Sequence, residues 1–227
     1  MGKLLIFSQN QQGFKDRKEA GQILAEKLDN LRDSNPVILG IPRGGLVVAQ
    51  EVANYLEADL DIVLSRKLGA PGNSELAIGA ISEDGKLFLN EAIASQVSAE
   101  NAYVQQEKEH QLIEISRRIE RYRKVRPKVS LKERTVIITD DGVATGATMQ
   151  AAIWAVKQEK PAKAIVALPV GPPQTLERLA KDADEIICLN APAYFGAVGQ
   201  FYDSFDQTED EEVVKILKGN FINRKNK

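Results

Sequence analysis

Short apolar runs alternate with segments of helical periodicity along this chain of 227 residues. Helical segments separate most of the runs. Another helical segment, residues 14–28, precedes the runs. Its apolar side chains recur at helical spacing, and Asp16 is placed to cap its first turn. Apolar strands that alternate with helices are typical of a parallel sheet covered on both faces, so the pattern predicts an α/β fold. Five runs have the length of buried strands: 37–41, 60–66, 135–141, 162–170 and 184–189.

Residues 76–130 interrupt this alternation between the second and third predicted strands. Segment 78–90 has the pattern of a hairpin, with its turn at Asp84-Gly85. A long charged segment follows, and one helical stripe on it consists of Leu112, Ile115, Ile119 and Tyr122. We therefore expect one domain over residues 1–227, with an inserted hairpin and long helix at about 68–130 that act as a lid, a dimer contact or both.

Composition narrows the class of protein without naming its function. Hydrophobic residues make up 43% of the chain and charged residues 27%, which is ordinary for a globular protein. A net charge of −2 provides no overall field that attracts nucleic acid or an anionic membrane. The single Cys188 and the absence of zinc-ligand spacing favour a reducing compartment, and no apolar run approaches the length of a membrane span. We expect a cytoplasmic enzyme or binding protein with no nucleic-acid or membrane partner.

The third apolar run ends in two adjacent carboxylates, Asp140 and Asp141. In parallel sheets, ligands bind beyond the carboxyl ends of the strands. The small-residue loop that follows offers backbone N–H groups, hydroxyls and the positive end of a helix, which together suit a phosphate. Carboxylates beside such a loop suit vicinal hydroxyls with magnesium nearby, and a ribose 5-phosphate meets that description. The loop consists of Ala144, Thr145, Gly146, Ala147 and Thr148.

The stretch VIITDDGVATGAT resembles the phosphoribosyl pyrophosphate (PRPP) signature of type I phosphoribosyltransferases. The resemblance implies a Rossmann-like α/β fold, in which Asp140 and Asp141 hold the ribose hydroxyls and residues 144–148 hold the 5-phosphate. Gly142 replaces an aliphatic residue that is common in the signature. Ala144 stands where several purine-salvage enzymes carry an acid, so the acceptor stays open.

A second motif, GIPRGG at 40–45, follows the first predicted strand. Its glycines permit close backbone approach, and Arg43 offers a fork of hydrogen-bond donors. The resemblance implies a pyrophosphate loop formed by Pro42, Arg43, Gly44 and Gly45. The alternative is a tight turn with a solvated arginine.

A third segment, SRKLGAPGNSE at 65–75, resembles the basic pair that precedes the mobile catalytic loop of the family. By this resemblance Arg66 lies at the pyrophosphate, and Lys67, together with Arg43, neutralises the departing pyrophosphate while residues 68–90 close over it. Lys67 acts either directly or from the neighbouring subunit. Glu75 takes a proton from an acceptor nitrogen, although an ordinary surface charge explains Glu75 equally well.

The C-terminal segment, about 190–227, concentrates aromatic residues. The family often recognises its acceptor with a hood built from terminal segments, so these rings either stack on a planar acceptor or pack at the edge of the core. The aromatic residues are Tyr194, Phe195, Phe201, Tyr202 and Phe205. Over most of its length the chain resembles a poorly characterised group of bacterial phosphoribosyltransferases.

These resemblances imply a magnesium-dependent enzyme of nucleotide salvage that transfers the 5-phosphoribosyl group of PRPP to a nitrogen acceptor, with a nucleobase favoured. We expect Mg²⁺ to be held mainly by PRPP, near Asp140 and Asp141, with no direct protein ligand, and we expect a homodimer. The alternative is a non-catalytic regulator that binds PRPP or a nucleotide. A third hypothesis, an RNA-binding regulator, rests on the basic stretch 117–128, which a solvated helix face explains more simply.

Overall fold

The computed structural model describes residues 2–225. Their strands are β1 (Lys3–Ser8), β2 (Val37–Gly40), β3 (Asp59–Ile62), β4 (Ser65–Ala70), β5 (Asn73–Ser82), β6 (Leu87–Leu89), β7 (Thr135–Thr139), β8 (Lys163–Val170) and β9 (Glu185–Asn190). Their α-helices are α1 (Arg17–Glu26), α2 (Gly45–Tyr55), α3 (Glu91–Gln96), α4 (Asn101–Tyr122), α5 (Ala147–Lys157), α6 (Pro173–Leu179) and α7 (Asp210–Lys225).

Six strands form one parallel sheet in the order β1-β9-β8-β7-β2-β3, and all of its neighbouring strands run parallel. This confirms the predicted α/β class, and four of the five apolar runs are β2, β7, β8 and β9. The run 60–66 is divided, because β3 ends at Ile62 and β4 begins in another sheet at Ser65. The edge strand β1 was not predicted.

Helices cover both faces of the parallel sheet. Apolar residues of α1, α2 and α7 pack in the cluster on one face, and those of α5 and α6 pack in the cluster on the other. As the sequence predicts, Asp16 caps α1, since its side chain accepts hydrogen bonds from the backbone N–H groups of Lys18 and Glu19. No helix in this part of the chain is both long and apolar enough to span a membrane.

The insertion between β3 and β7 forms a second sheet, with the order β4-β5-β6 and antiparallel pairing. The predicted turn at Asp84-Gly85 is confirmed. Desolvation works to raise the pKa of Asp84, but hydrogen bonds from Lys86 and Ser82 outweigh it and lower the pKa to about 2. The stretch from residue 68 onward was expected to be a loop. It is instead the β4–β5 hairpin, whose turn lies at Pro71-Gly72.

The insertion is fastened to the main sheet by packing and by ion pairs. Trp154 of α5 packs on Phe88 of β6, with ring centroids 4.8 Å apart. Arg123, just after α4, binds both Glu83 and Asp61 at 2.6–2.7 Å. Arg126, with only 5% of its side chain exposed, pairs with a carboxylate of β3. The interpretation of 117–128 as a solvated face is therefore wrong for these two arginines.

Candidate functional site

The carboxyl ends of β7, β2 and β3 carry the three predicted loops. Within the sheet, β3 lies on one side of β2, and β7, which comes later in the chain, lies on the other side of β2. Such a reversal opens a crevice at the carboxyl ends of the strands, where open parallel sheets bind their ligands. Residues 140–148, 42–45 and 65–67 follow these three strands, so the fold brings the predicted segments to one crevice.

The glycines of the 42–45 turn pack directly against Asp140 and Asp141, the acidic pair. A Cβ atom on Gly45 would lie 2.7 Å from both the Cα and Oδ1 atoms of Asp140, and one on Gly44 would overlap the carboxylate of Asp141. A side chain at either position would therefore push the turn away from the acids. The peptide bond between Pro42 and Arg43, at the start of this turn, is cis.

The two carboxylates are only partly compensated by positive charge. Burial raises the pKa of Asp140 well above its usual value, and the negative charge of Asp141 raises it further. Asp141 receives a hydrogen bond of 2.7 Å from Nε of Arg17, whose guanidinium also works to lower the pKa of Asp140. Among residues 2–225, Arg17 is thus the cation paired with these two acids, which leaves acceptor oxygens that favour a ligand rich in hydroxyl donors.

Arg17 is a site residue that the sequence analysis missed. Its guanidinium also donates to the backbone oxygen of Asp206 at 2.7 Å and lies 3.8 Å from the ring centroid of Phe205. It thereby joins the start of α1, the acidic pair and the C-terminal segment. No sequence signal identifies it, because an arginine in the first turn of an amphipathic helix has the appearance of a surface charge and Asp141 lies 124 residues away.

The candidate phosphate loop, residues 144–148, has backbone N–H groups available to a ligand. Within residues 2–225, the backbone N–H groups of residues 144–148 donate no hydrogen bond to the protein. Gly146 adopts a left-handed conformation with φ of 71°, which favours glycine, and α5 begins at the next residue. From α6, Thr175 donates to the backbone oxygen of Ala144, and Arg178 donates to that of Thr145. This support from α6 was also not predicted.

The predicted cationic residues already have protein partners of differing strength. Arg43 lies 3.5 Å from Glu209, and Lys67 donates to Glu75 at 2.9 Å. Since both carboxylates are exposed, these two pairs contribute little to stability and are easily exchanged. Glu75 lies with Lys67 at the β4–β5 hairpin, so its carboxylate is engaged by a cation before any acceptor is present.

A cavity of about 390 Å³ lies between the Pro42 turn, β4 and α4. It places the candidate pyrophosphate loop, residues 42–45, next to the basic pair of Arg66 and Lys67 and to Thr148, the last residue of the candidate phosphate loop. The polar or turn residues that line it include Pro42, Arg66, Lys67, Glu107, Arg118 and Thr148.

The C-terminal aromatic residues divide between the two interpretations of the sequence. Phe201 and Tyr202 are buried in the core, and the Tyr202 hydroxyl donates to the backbone oxygen of Asp141 at 2.5 Å. Tyr194 is 83% exposed, and Phe205 carries Arg17 on its ring. Packing therefore accounts for the first two rings, while Tyr194 has a face available to a ligand.

The donor set of the acidic pair can be tested against Mg²⁺. No group of three or more His, Cys, Asp or Glu side chains in the described part of the chain is arranged to hold a metal ion. Mg²⁺ commonly binds one or two carboxylates together with substrate phosphates and water. The oxygens of Asp140 and Asp141 would fit an ion of this kind if a phosphate ligand supplied its other contacts.

Comparison with known proteins agrees with this geometry. A family model described as the phosphoribosyl transferase domain matches residues 11–205. Two Mycobacterium tuberculosis proteins, from strains CDC 1551 and H37Rv and provisionally named phosphoribosyl transferases, are each 46% identical to this chain over 204 residues. The matched region covers 90% of this chain but 46% of theirs, so the chain spans about half the length of these relatives. The crystal structure of TT1426 from Thermus thermophilus is 47% identical, with a TM-score of 0.88 over 92% of this chain and 99% of that one.

Proposed function

The chain belongs to the phosphoribosyl transferase domain family, and on that premise we propose that it transfers the 5-phosphoribosyl group of PRPP to a nitrogen acceptor. The bond between C1 of the ribose and the pyrophosphate oxygen breaks, and a bond from C1 to the acceptor nitrogen forms. Pyrophosphate leaves with the bonding electron pair, and the acceptor loses a proton when it carries one. A nucleobase is the acceptor class that we favour, which would make the reaction one of nucleotide salvage.

One observation carries the proposal: two under-compensated carboxylates lie between a loop of free N–H groups and a glycine turn. A ribose phosphate needs these three features, since its hydroxyls donate to carboxylates, its 5-phosphate accepts from N–H groups, and its pyrophosphate requires close backbone approach. In this assignment Asp140 and Asp141 orient the sugar and residues 144–148 hold the 5-phosphate.

Transfer of this kind requires positive charge at the leaving group, because negative charge grows on the pyrophosphate as its bond to C1 breaks. We assign that role to three cations. Arg43 and Lys67 exchange exposed carboxylate partners for the pyrophosphate, and Arg66 already has a neutral partner, the side chain of Gln111. When bound, Mg²⁺ would neutralise further charge on the pyrophosphate oxygens. The β4–β5 hairpin, as a lid, excludes water that would otherwise hydrolyse PRPP. Proton removal by Glu75 and the homodimeric state stay predictions.

The test is release of pyrophosphate from PRPP with Mg²⁺ across separate panels of purines, pyrimidines and amines. We expect release that depends on one acceptor class and that is lost in the Asp140→Asn/Asp141→Asn variant. Release at the same rate without any acceptor, or equal release by the variant, would contradict the proposal.

The second candidate is a regulator that binds PRPP or a nucleotide without turnover. The observation in its favour is that Arg43 and Lys67, the proposed leaving-group cations, are both paired with carboxylates. Tight PRPP binding with no pyrophosphate release from any acceptor panel would support the regulator over the enzyme.

A further inference from the structure

The inserted helix α4 forms one wall of the cavity beside the Pro42 turn. It contributes residues spaced three or four apart, which lie on one helix face: Glu107, Gln111, Ile115 and Arg118. Arg66 and Lys67, from β4, line the same cavity. The helix therefore faces the two residues assigned above to the leaving group.

Arg118 differs from the other arginines in its part of the chain. The arginines at 117, 121, 123 and 126 each form an ion pair with a carboxylate. Arg118 forms no ion pair or hydrogen bond with any residue from 2 to 225, yet it lines the cavity. Its guanidinium keeps its full charge and all its donors for a ligand.

Gln111 holds Arg66 in a way that preserves its charge. The Nε atom of Arg66 donates to the side-chain oxygen of Gln111 at 2.7 Å, and the Gln111 amide in turn donates to Glu107 at 2.8 Å. Gln111 is only 8% exposed, so this arrangement is built into the packed helix. Because the acceptor is neutral, Arg66 is oriented without being neutralised. Among the described residues, neither terminal amino group of Arg66 has a partner.

Charge indicates the class of ligand. Three cations line the cavity: Arg66, Lys67 and Arg118. Glu107 is the one carboxylate among its described lining residues, and Glu75, outside the lining, pairs with Lys67. Two of these cations are guanidinium groups, whose paired N–H donors match phosphate oxygens. The volume of about 390 Å³ gives room for a group with two phosphates.

We propose that α4 completes a diphosphate site, in which Arg118 binds the diphosphate directly and Gln111 positions Arg66 to do so. The inference rests on the proposed function only in taking the diphosphate to be that of PRPP or released pyrophosphate. It gives the insertion a part in ligand binding on the main body of the protein.

Calorimetric titrations with inorganic pyrophosphate, PRPP and ribose 5-phosphate, each with Mg²⁺, test the role of Arg118. We expect Arg118→Gln to weaken binding of pyrophosphate and PRPP about tenfold, the order expected for one charge-assisted contact, and to leave ribose 5-phosphate unchanged. The matched control is Arg117→Gln, which removes an exposed arginine from the adjacent position of the same helix. It should change none of the three affinities.

The outcomes separate this inference from the proposed function. If the parent binds PRPP and ribose 5-phosphate but Arg118→Gln binds pyrophosphate and PRPP as the parent does, the inference is wrong and the proposed function stands. Failure of the parent to bind pyrophosphate at millimolar concentration would also overturn it. If pyrophosphate binding depends on Arg118 but PRPP and ribose 5-phosphate do not bind, the diphosphate site is supported and the proposed function fails.

Gln111 needs a test that separates positioning from packing. Gln111→Met keeps the side-chain size but removes the acceptor for Arg66, and Gln111→Glu keeps an acceptor but neutralises the arginine. We expect both variants to weaken pyrophosphate binding several-fold while ribose 5-phosphate binding stays at the parent value. Equal weakening of both ligands, or of neither, would contradict the positioning role. Thermal melts establish that each variant is folded.

Discussion

Replacing Arg17 with methionine removes the guanidinium that pairs with Asp141 of the acidic pair. Met keeps most of the apolar length of the side chain but forms neither the 2.7 Å hydrogen bond to Asp141 nor that to the Asp206 backbone oxygen. The contact with the Phe205 ring loses its cationic character as well. Asp141 is left as a partly buried charge beside a second carboxylate, Asp140, so the variant should lose stability and PRPP affinity together.

The structure sets the size of the effect. The side chains of Arg17 and Asp141 are only 12% and 15% exposed, so solvent screens their interaction weakly. Breaking a fully buried pair on one side costs about 3–5 kcal/mol, and a charge-assisted hydrogen bond contributes about 1.5–3 kcal/mol. For this partly buried pair we expect a loss of about 3 kcal/mol. At roughly 2–4 °C per kcal/mol, that lowers the melting temperature of a chain of this length by about 6–12 °C.

Thermal and urea unfolding of the full chain measure this loss. The matched control is Arg32→Met. It removes an arginine whose side chain is 40% exposed and which also has a carboxylate partner and an aromatic ring contact, at a cost below about 1 kcal/mol. The variant Arg17→Met/Asp141→Asn removes the stranded charge and should be more stable than Arg17→Met alone. The reasoning is refuted if Arg17→Met loses no more stability than Arg32→Met, or if the second substitution recovers nothing.

Four further predictions have definite expected outcomes. Gly45→Ala should weaken PRPP binding at least tenfold in a calorimetric titration, because its Cβ meets Asp140. Gly219→Ala, in α7, should add about 1 kcal/mol of stability in urea unfolding, because a Cβ there meets nothing within 4 Å. The pKa of Asp84 in the folded protein is about 2, below its ordinary 3.8, so its stabilising contribution is complete above about pH 4 and is lost towards pH 2. Between pH 4 and pH 2, the urea midpoint of Asp84→Asn should therefore fall less than that of the parent protein. Burial raises the pKa of Cys188 to about 12, so a thiol reagent at pH 8 should modify it only after unfolding, and rapid modification of the native protein would contradict this.

Strands that carry strong apolar runs could be predicted from the sequence, and those without one could not. The strand β1 is partly exposed along much of its length because it lies at the edge of the sheet, where it pairs with β9. Its short LLIF core therefore resembles an isolated apolar patch. The β4–β5 hairpin was mistaken for a loop because Gly69, Pro71 and Gly72 are typical of turns. Here Gly69 lies at a register shift, and only Pro71-Gly72 forms the turn.

The site shows the same division between local and distant signals. Asp140, Asp141 and the glycine turn belong to contiguous motifs, which local spacing identifies. Arg17 and Gln111 act through partners 124 and 45 residues away, and such pairings depend on how the helices pack. The distant ion pairs of Arg121, Arg123 and Arg126 were missed for this reason also, since their carboxylate partners lie on β3, on the β5–β6 turn and in α7.

The most direct measurement is a calorimetric titration of PRPP with Mg²⁺ into the parent protein and into Asp140→Asn/Asp141→Asn. The control is Asp29→Asn/Asp33→Asn, which removes the same charge from the 3₁₀ helix that precedes β2, at the amino ends of the strands rather than at their carboxyl ends. We predict micromolar binding by the parent and the control, and none by the variant of the acidic pair. A folded parent that gives no heat, or equal binding by all three proteins, would contradict a sugar-phosphate site at these carboxylates.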